Sequence, residues 1–512
     1  MKNEIPKNSS NPFITRELPV KIFFLFAASL AVSISILVDL SLYKLVGGTL
    51  IGFVLLFILY RDIMRYKPSY ITNYNMLLLL VLMIVSTLVI GRFFEYLMTN
   101  LSIGTGFIDP DTAMFGLPIA AGAMLVTLLF DFHTAITFSF TISLLTGYWL
   151  QDSTYTIYAF AGSLTAAFSV IRCKKRSAIL RGGFYVIVVN VLLALIILLA
   201  KGDLFTTKAL SATAFALLGG LTVSSIVSMM LPLLEYVFKV TTDISLLELL
   251  DLNQPLMKAL MINAPGTYHH SVIVGNLVES AAEAVGVNPL LGRVSSYYHD
   301  IGKIKMPDYF VENQGGAPNR HDKLSPHMSS MIITNHIKEG VELASQHKLP
   351  PSIIDIIQQH HGTSVISYFY QRAKNQGHDG HPAEDDYKYT GPKPQTRVAA
   401  LVMMADAVEA ASRVLNDPTP ARIAALVDKI INHIFLDGQL DECELTLKDI
   451  SAIRKMFTYV LASIFHKRID YPGFDFGNAN THKEHAKNEK AKSAEDKKGL
   501  KQGAPTAPTA TV

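Results

Sequence analysis

Cysteine is almost absent from the 512-residue sequence, which contains only Cys173 and Cys443, far apart along the chain. Two such cysteines form neither a disulfide framework nor a CxxC metal site, which excludes a protein stapled by disulfides. Charge is also scarce, because Asp, Glu, Lys and Arg make up 17% of the residues, against about 25% in soluble proteins. The formal net charge is only +3, so the composition does not indicate DNA or RNA as a partner.

Hydrophobic residues are abundant instead: they make up 50% of the chain, and the mean hydropathy is +0.30. They crowd residues 20 to 238, whereas the rest has the composition of a soluble domain. Eight apolar runs have about the length that crosses a bilayer: Val20–Leu42, Val46–Tyr60, Met76–Leu97, Ala113–Phe130, Thr134–Leu150, Tyr155–Ile171, Ile179–Ala200 and Ala209–Phe238. Two runs are short and only three residues separate the fourth run from the fifth, so seven spans are the alternative.

The basic residues predict the orientation of these spans, because Lys and Arg gather on the cytoplasmic side of a membrane. They cluster before the first run and after the second and sixth runs: Lys2, Lys7, Arg16 and Lys21; Arg61, Arg65 and Lys67; Arg172, Lys174, Lys175 and Arg176. Eight spans place all three clusters and the C-terminal domain in the cytoplasm, at a bacterial inner (plasma) membrane. No small-residue cleavage site follows the first run, so we expect residues 1–19 to be a cytoplasmic segment before a retained anchor.

The remainder of the chain is predicted to be all-α. A connector at 241–252 leads from the membrane region at 20–240 to a domain at 253–475. In that domain β-branched alternation is nearly absent, and apolar residues recur at helical spacings in Ser271–Val285, Met328–Leu343, Ser352–His360 and Gln395–Leu415. Residues 376–394 are rich in Gly and Pro and predict a loop, and residues 476–512 predict a disordered tail.

The strongest functional signal is a set of residues that can bind metal ions: His270, His299, Asp300, His336, His360, His361 and Asp406. Any one of these histidines alone would more often be a core or surface residue, so the argument rests on the set. Imidazole nitrogens and carboxylate oxygens together suit Mn, Fe or Zn. The set is too large for one catalytic ion and fits two ions sharing a water and a carboxylate, for which Asp300 is the natural candidate.

Such a pair of ions lowers the pKa of the shared water and neutralises charge on phosphoryl oxygens. Lys303, one helical turn from Asp300, is expected to add a positive charge at a phosphate. The loop at 391–395, with Lys393, is a second candidate for substrate contact. For His269 we expect a packing role, or one behind the ligands, rather than ligation.

The motifs around this set resemble the HD superfamily of metal-dependent phosphohydrolases. The resemblance is carried by His299-Asp300-Ile301-Gly302-Lys303 and extends through residues 264–271, 360–364 and 391–395. With the membrane spans, these motifs look like the seven-transmembrane-receptor HD hydrolases, whose members are cyclic-di-AMP phosphodiesterases that open the ring to linear pApA. The resemblance covers about residues 45 to 460, and it implies that the seven His and Asp residues are a complete set of metal ligands.

The sequence departs from that family at one place. Family members usually carry an extracellular domain after the first span, whereas here Leu42 to Val46 leaves room only for a tight turn. The ligand-sensing role of such a domain therefore does not carry over. The HD-GYP proteins, which cleave cyclic-di-GMP, have a Gly-Tyr-Pro element after a His-His pair, and no such element follows His360-His361. Cyclic-di-GMP is therefore disfavoured, and other nucleotides stay open.

The sequence thus predicts a two-metal phosphodiesterase at the cytoplasmic face of the membrane, with cyclic-di-AMP as its first candidate substrate. Asp300 and Lys303 are the candidate catalytic residues, and Lys303 and Lys393 the candidate substrate contacts. The alternatives are an HD hydrolase of another nucleotide, a non-catalytic nucleotide-binding receptor, and a transporter with a regulatory domain. The last is disfavoured because the spans contain no row of buried carboxylates. The identity of the metal and the existence of a homodimer are left open.

Overall fold

The computed structural model describes residues 12–37, 41–105, 109–171, 173, 175–376 and 382–465. Over these residues the secondary structure is helical, and the one β interaction is an isolated antiparallel bridge between Val365 and Lys388. This confirms the all-α prediction. Residues 1–11 of the predicted N-terminal segment and the predicted tail at 476–512 lie outside the described residues.

The apolar half of the described chain forms helices in the order of the predicted runs: α1 (Pro12–Ile36), α2 (Leu42–Tyr66), α3 (Pro68–Thr72), α4 (Tyr74–Thr105), α5 (Pro110–Ala113), α6 (Ala120–Leu129), α7 (Phe132–Leu150), α8 (Ser153–Ser169), α9 (Ser177–Lys201) and α10 (Lys208–Phe238). The predicted end of the first run is wrong, because α1 ends at Ile36 and Leu42 already begins α2. The apolar residues between these helices extend the hydrophobic pattern beyond the end of α1 and conceal the break. The fourth and fifth runs are separate helices, since Asp131 caps α7 by accepting a hydrogen bond from the Thr134 amide at 2.8 Å.

Five helical segments of the described chain are long and apolar enough to cross a membrane: Leu42–Tyr66, Tyr74–Gly104, Pro110–Leu129 (which comprises α5 and α6), Ser177–Lys201 and Lys208–Phe238. Of the predicted spans that are not among them, α8 has only 17 residues, and α7 is rich in Ser and Thr. The hydroxyls of α7 donate to carbonyl oxygens one turn back, from Ser139 to Ala135 at 2.6 Å and from Thr146 to Ile142 at 2.8 Å. These polar groups are satisfied inside their own helix, which makes them compatible with a low-dielectric environment.

The remaining described chain forms a second group of helices: α11 (Asp243–Leu249), α12 (Pro255–Asn263), α13 (Pro265–Val285), α14 (Pro289–Tyr298), α15 (Pro326–Gln346), α16 (Pro351–Gln359), α17 (Ser367–Gln376), α18 (Arg397–Ser412), α19 (Pro420–Leu436) and α20 (Leu447–Ile464). Asn288, Ser325 and Thr396 cap α14, α15 and α18, each with a side-chain oxygen that accepts a backbone N–H. These caps fix the residue at which each helix begins. They therefore also fix which side chains of the helix point to the centre of this second group of helices.

Helix α11 is tied on one side to the membrane helices and on the other to α14. Arg176, immediately before α9, donates from Nε and Nη2 to the two carboxylate oxygens of Glu248, at 2.7 and 3.0 Å. The hydroxyl of Tyr298, the last residue of α14, donates to the carbonyl oxygen of Leu249 at 2.8 Å. The predicted connector region therefore contains a short helix whose C-terminal end is held by polar contacts to both neighbours.

The turn after α14 packs closely against α15. The chain continues from α14 into a 3₁₀ helix at Ile301–Lys305. A Cβ added at Gly302 would lie 1.8 Å from the carbonyl oxygen of His336, so only glycine permits this approach of two backbones. Gly302 therefore allows the adjacent His299 and Asp300 to lie beside α15.

Replacing Gly302 with alanine is expected to push the 301–305 turn away from α15, because the collision is with backbone and not with a flexible side chain. We expect a destabilisation of about 1–3 kcal/mol, as for other overpacked positions, measured as a lower thermal midpoint of the full chain in detergent. Gly104→Ala is the control, since nothing lies within 4 Å of a Cβ built there. Equal midpoints for the two variants would contradict the close contact.

Candidate metal centre

The fold brings the seven predicted metal-ligand candidates to one place. Their ligand atoms form two groups, and within each group all atoms lie within 4.8 Å of one another. One group consists of His270, His299, Asp300 and Asp406, and the other of Asp300, His336, His360 and His361. Asp300 belongs to both groups, which is the position expected of a bridging carboxylate.

The two carboxylate oxygens of Asp300 face different groups. Oδ1 lies 3.3 Å from Nε2 of His336 and 3.7 Å from Nε2 of His360. Oδ2 lies 3.3 Å from Nε2 of His299 and 3.8 Å from Nε2 of His270. One carboxylate thus presents one oxygen to each group, which is the arrangement that can hold two cations side by side.

Asp406 connects the two groups a second time. Its Oδ1 lies 2.9 Å from Nε2 of His270, and its Oδ2 lies 3.6 Å from Nδ1 of His361. The His361 side chain is 23% exposed and that of Asp406 12%, whereas His299 and His360 are completely buried. The centre is therefore open to solvent on the side of His361 and Asp406.

Backbone carbonyl groups orient several of the imidazoles. Three rings place Nδ1 at 2.5 to 2.7 Å from the carbonyl oxygen three residues earlier: His299, His336 and His360. Because a carbonyl can only accept, Nδ1 of each ring must carry the hydrogen and donate it. Each Nε2 is therefore the atom available to bind a metal ion, and the backbone fixes its direction.

Glu409 orients the fourth buried imidazole and is a residue that the sequence analysis missed. Its Oε2 lies 2.5 Å from Nδ1 of His270, and its Oε1 accepts a hydrogen bond from Nε of Arg413 at 2.8 Å. Glu409 lies three residues after Asp406, so both carboxylates share one face of α18. This spacing is the signal by which Glu409 could have been predicted.

Two buried atoms of the centre have no hydrogen-bond partner in the described part of the chain: Nε2 of His299 and Oδ1 of Asp300. Buried polar atoms in proteins are normally satisfied. Oδ1 of Asp300 faces one group of ligand atoms, and His299 belongs to the other. Each group therefore contains a buried ligand atom without a hydrogen-bond partner. Imidazole nitrogens and carboxylate oxygens are ligands for divalent transition metals, and the residues therefore fit such ions.

Burial and charge set the protonation of these groups. Burial lowers the pKa of His336 to about 4 and also lowers that of His361. Burial would raise the pKa values of Asp300 and Asp406, but the surrounding cationic and imidazole groups outweigh it and hold both well below the usual range. Burial likewise opposes a charge on His299, but the Asp300 carboxylate raises its pKa to about 10. A metal ion bound at His299 would therefore displace a proton.

Lys303 lies beside Asp300, between two carboxylates. Its Nζ is 2.7 Å from Oδ2 of Asp300, 3.0 Å from Oε1 of Glu312 and 4.9 Å from the ring centroid of Phe310. Burial opposes the charge of the ammonium, but the two carboxylates raise the pKa of Lys303 above its usual range. The ammonium group is therefore positively charged at the edge of the centre.

Two other residues singled out in the sequence lie elsewhere. Lys393 forms an ion pair with Asp441, at 3.7 Å, and within the described residues it forms none with the seven ligand candidates. His269 belongs to neither group, and its side chain is exposed, so the expectation of a packing role is wrong. Adjacent residues of a helix point in different directions, so His269 and His270 cannot both face the centre.

Tyr389 is a second residue that the sequence analysis missed. Its ring stacks on the imidazole of His361, with the centroids 4.3 Å apart and the planes inclined by 17°. The ring also lies 6.2 Å from that of His336, edge to face. Tyr389 belongs to the predicted 376–394 loop, where no helical periodicity indicates the direction of a side chain.

Two family models match the chain. Residues 42–242 match the model for a seven-transmembrane receptor with an intracellular HD hydrolase, and residues 267–411 match the model for the HD domain. The first match spans helices α2 to α10, and the second contains all seven ligand candidates.

Curated relatives with similar sequences are cyclic-di-AMP phosphodiesterases PgpH. The chain is 40% identical over 365 residues to that of Bacillus subtilis (strain 168) and 41% identical over 362 residues to that of Listeria monocytogenes serotype 1/2a (strain 10403S). The matches cover 69% and 70% of this chain but 51% and 50% of the relatives, so the chain spans about half their length.

Among solved structures, the chain is similar to the crystal structure of the L. monocytogenes phosphodiesterase PgpH HD domain in complex with cyclic-di-AMP. The identity is 47%, the match covers all of that chain and 43% of this one, and the TM-score is 0.40. A second crystal structure of the same HD domain has the same identity and TM-score.

Glu409→Gln is expected to weaken metal binding, because the amide no longer offers a charged acceptor to Nδ1 of His270. Loss of such an orienting carboxylate typically costs about 10- to 100-fold in metal affinity. Calorimetric titration of the metal-stripped full chain with Mn²⁺ measures the effect. Glu444→Gln, at an exposed carboxylate, is the matched control, and equal Mn²⁺ affinities in the two variants would refute the orienting role.

Proposed function

Since the chain belongs to the family of seven-transmembrane receptors with an intracellular HD hydrolase, we propose that it is a membrane-bound, metal-dependent phosphodiesterase. The proposed reaction is the hydrolysis of one 3′–5′ phosphodiester of cyclic-di-AMP, which gives pApA. The substrate is inferred from the PgpH relatives, which are named as cyclic-di-AMP phosphodiesterases. The absence of a Gly-Tyr-Pro element after His360-His361 is in keeping with this choice over cyclic-di-GMP.

The observation that carries the proposal is the division of the Asp300 carboxylate between two groups of ligand atoms. We propose as metal ligands the seven residues of these groups: His270, His299, Asp300, His336, His360, His361 and Asp406. Two divalent ions, with Mn or Fe as first candidates and Zn also compatible, would supply hydroxide at neutral pH and neutralise charge on the phosphoryl group. The buried, oriented imidazoles keep these positions fixed, so little reorganisation is needed when charge develops.

Lys303 has a separate role in this proposal. Its ammonium lies 2.7 Å from Oδ2 of Asp300, so it offsets the negative charge of a carboxylate that is only 1% exposed. The same cation attracts the phosphate of the substrate to this side of the centre. Lys303 is therefore proposed to position Asp300 and to favour the build-up of negative charge on phosphorus oxygens.

The substrate is proposed to approach on the side where His361 and Asp406 are accessible. Tyr389 covers one face of the His361 ring there, and such an aromatic pair offers a surface on which a nucleobase can stack. Lys393 follows Gly391, where an added Cβ would lie 3.6 Å from the carbonyl oxygen of Gly362, so its loop is adjacent to the His360-His361 pair. We propose that Lys393 exchanges its ion pair with Asp441 for a phosphate of the substrate.

The catalytic domain is proposed to lie on the cytoplasmic side of the bacterial inner membrane. Arg176 belongs to one of the basic clusters that predict a cytoplasmic loop, and it pairs with Glu248 on α11. The helices that carry the centre therefore lie on the same side as this basic cluster. Cyclic dinucleotides are intracellular second messengers, and this side gives the centre access to them.

Hydrolysis of cyclic-di-AMP by the purified full chain in detergent tests the proposal. We expect pApA to form with Mn²⁺, to disappear with EDTA, and to fall by about 100-fold or more in Asp300→Asn, because one carboxylate serves both groups. His433→Ala, at an exposed histidine of α19, is the control and should retain full activity. Chromatography of the products distinguishes pApA from mononucleotides.

The other outcomes identify the alternatives. If the metal-loaded chain cleaves guanosine tetraphosphate or a mononucleotide but not cyclic-di-AMP, the substrate assignment is wrong. Binding of cyclic-di-AMP without turnover of any nucleotide would favour a receptor. Uptake of a solute into proteoliposomes would favour a transporter.

Lys303→Met tests the second catalytic candidate. The change keeps most of the side-chain length but removes the cation beside Asp300, and we expect kcat to fall by about 100-fold with the metal content retained. Lys305→Met is the matched control, since Lys305 is exposed two residues further along the same turn. An unchanged kcat in Lys303→Met, or a parallel loss in both variants, would contradict the role of Lys303.

A further inference from the structure

A cavity of about 400 Å³ lies where α10 meets the HD domain. Its lining includes Glu235 and Tyr236 of α10, Lys239 directly after that helix, and Lys348 and Pro351 of the HD domain. Helix α10 is a candidate membrane span that ends at Phe238. The cavity is therefore at the level where the surface of a membrane would meet the HD domain.

The cavity contains uncompensated positive charge. Lys239 and Lys348 are both exposed, and within the described residues neither forms an ion pair with a carboxylate. Glu235 also lines the cavity, but Arg176 lies 3.7 Å from it and pairs with Glu248 as well. Three cations, Arg176, Lys239 and Lys348, thus stand against the two carboxylates of Glu235 and Glu248, which leaves one positive charge in excess at the cavity.

Both lysines have a backbone conformation that favours glycine. Lys239 and Lys348 each have φ of 55°, in the left-handed region. Lys239 follows the last residue of α10, where glycine is the usual residue. The two ammonium groups are therefore placed at the cavity at a conformational cost that glycine would avoid.

We propose that this cavity binds the phosphate of an anionic phospholipid, with Lys239 and Lys348 as its cationic partners. Basic side chains near a bilayer surface each strengthen the attraction to anionic lipid. The lipid is favoured as the source of the phosphate because Leu233, Tyr236 and Val237 of the same helix end are more than half exposed. Such apolar and aromatic residues beside a polar cavity match the acyl chains and the interface of a membrane.

The cavity is connected to the metal centre by α16. Lys348 precedes this nine-residue helix, and His360-His361 follows its end, about 14 Å away along the helix axis. At the start of α16, the hydroxyl oxygens of Ser352 and Thr241 lie 3.0 Å apart. A phosphate held between Lys239 and Lys348 therefore also holds the first turn of α16 against the end of the membrane region.

The double variant Lys239→Gln/Lys348→Gln tests the site in the full chain, reconstituted in nanodiscs of phosphatidylcholine with or without phosphatidylglycerol. Native mass spectrometry counts the phosphatidylglycerol molecules retained, and hydrogen exchange follows residues 348–359. We expect about tenfold weaker retention in the variant, and loss of the protection that phosphatidylglycerol gives to these residues. The control is Lys429→Gln/Lys455→Gln, at two exposed lysines of α19 and α20 with the same change in charge.

Equal retention of phosphatidylglycerol in the two double variants would overturn the site. The variant Lys239→Gly/Lys348→Gly removes the same charges while it relieves the left-handed backbone, so a loss of lipid in it cannot be attributed to unfolding. Retention of lipid by the glycine variant would overturn the proposal equally.

Inorganic phosphate separates the two sources of this ligand. If phosphate protects residues 348–359 in nanodiscs of phosphatidylcholine as well as phosphatidylglycerol does, the cavity binds a soluble phosphate and the lipid assignment is wrong. If phosphatidylglycerol protects residues 348–359 and inorganic phosphate does not, the lipid assignment is supported. None of these measurements involves turnover, so their outcome is independent of whether the chain hydrolyses cyclic-di-AMP.

Discussion

The arrangement of the HD domain depends on keeping one buried carboxylate ionised. Asp300 is 1% exposed, and an uncompensated charge at such a position costs several kcal/mol. Compensation comes from two cations, the ammonium of Lys303 at 2.7 Å and the imidazolium of His299 at 3.3 Å from Oδ2. Divalent ions would complete it. The convergence of α13, α15, α16 and α18 on this point follows from the need to surround Asp300.

The same requirement explains why the convergence of these side chains could be predicted from sequence. Adjacent His299-Asp300 and His360-His361 pairs, with single candidates on predicted helices, form a set that chance seldom assembles, and the structure brings all seven together. The helical pattern also predicted α15, α16 and α18 to within three residues at each end, and α13 except for its first six residues. A set of ligand types defines a chemistry before any distance is known.

What the sequence did not provide are contacts that depend on direction rather than on residue type. The spacing of Glu409 from Asp406 puts it on the same face of α18, but only the structure shows that it faces His270, and Tyr389 lies in a loop whose path sets the stacking on His361. The break between α1 and α2 was concealed by apolar residues on both sides of it. Helix α7 is a further example of such a contact. Its hydroxyl groups lower its hydropathy, and the sequence does not show that they donate hydrogen bonds within the helix.

Two chains of contacts lead from the membrane half to the two groups of the candidate centre, which constrains how one part can influence the other. Helix α11, held by Arg176 through Glu248, bonds through Leu249 to Tyr298, the residue before His299. Helix α16 begins at the junction with the membrane region and ends immediately before His360. Since His299 faces Oδ2 of Asp300 and His360 faces Oδ1, a displacement of α14 relative to α16 must change the separation of the two groups. Residues 37–41, which join α1 to α2, cannot contain a sensory domain. Helices α11 and α16 therefore offer two routes by which the membrane region can influence the centre, and a ligand at the junction needs to move only one of them.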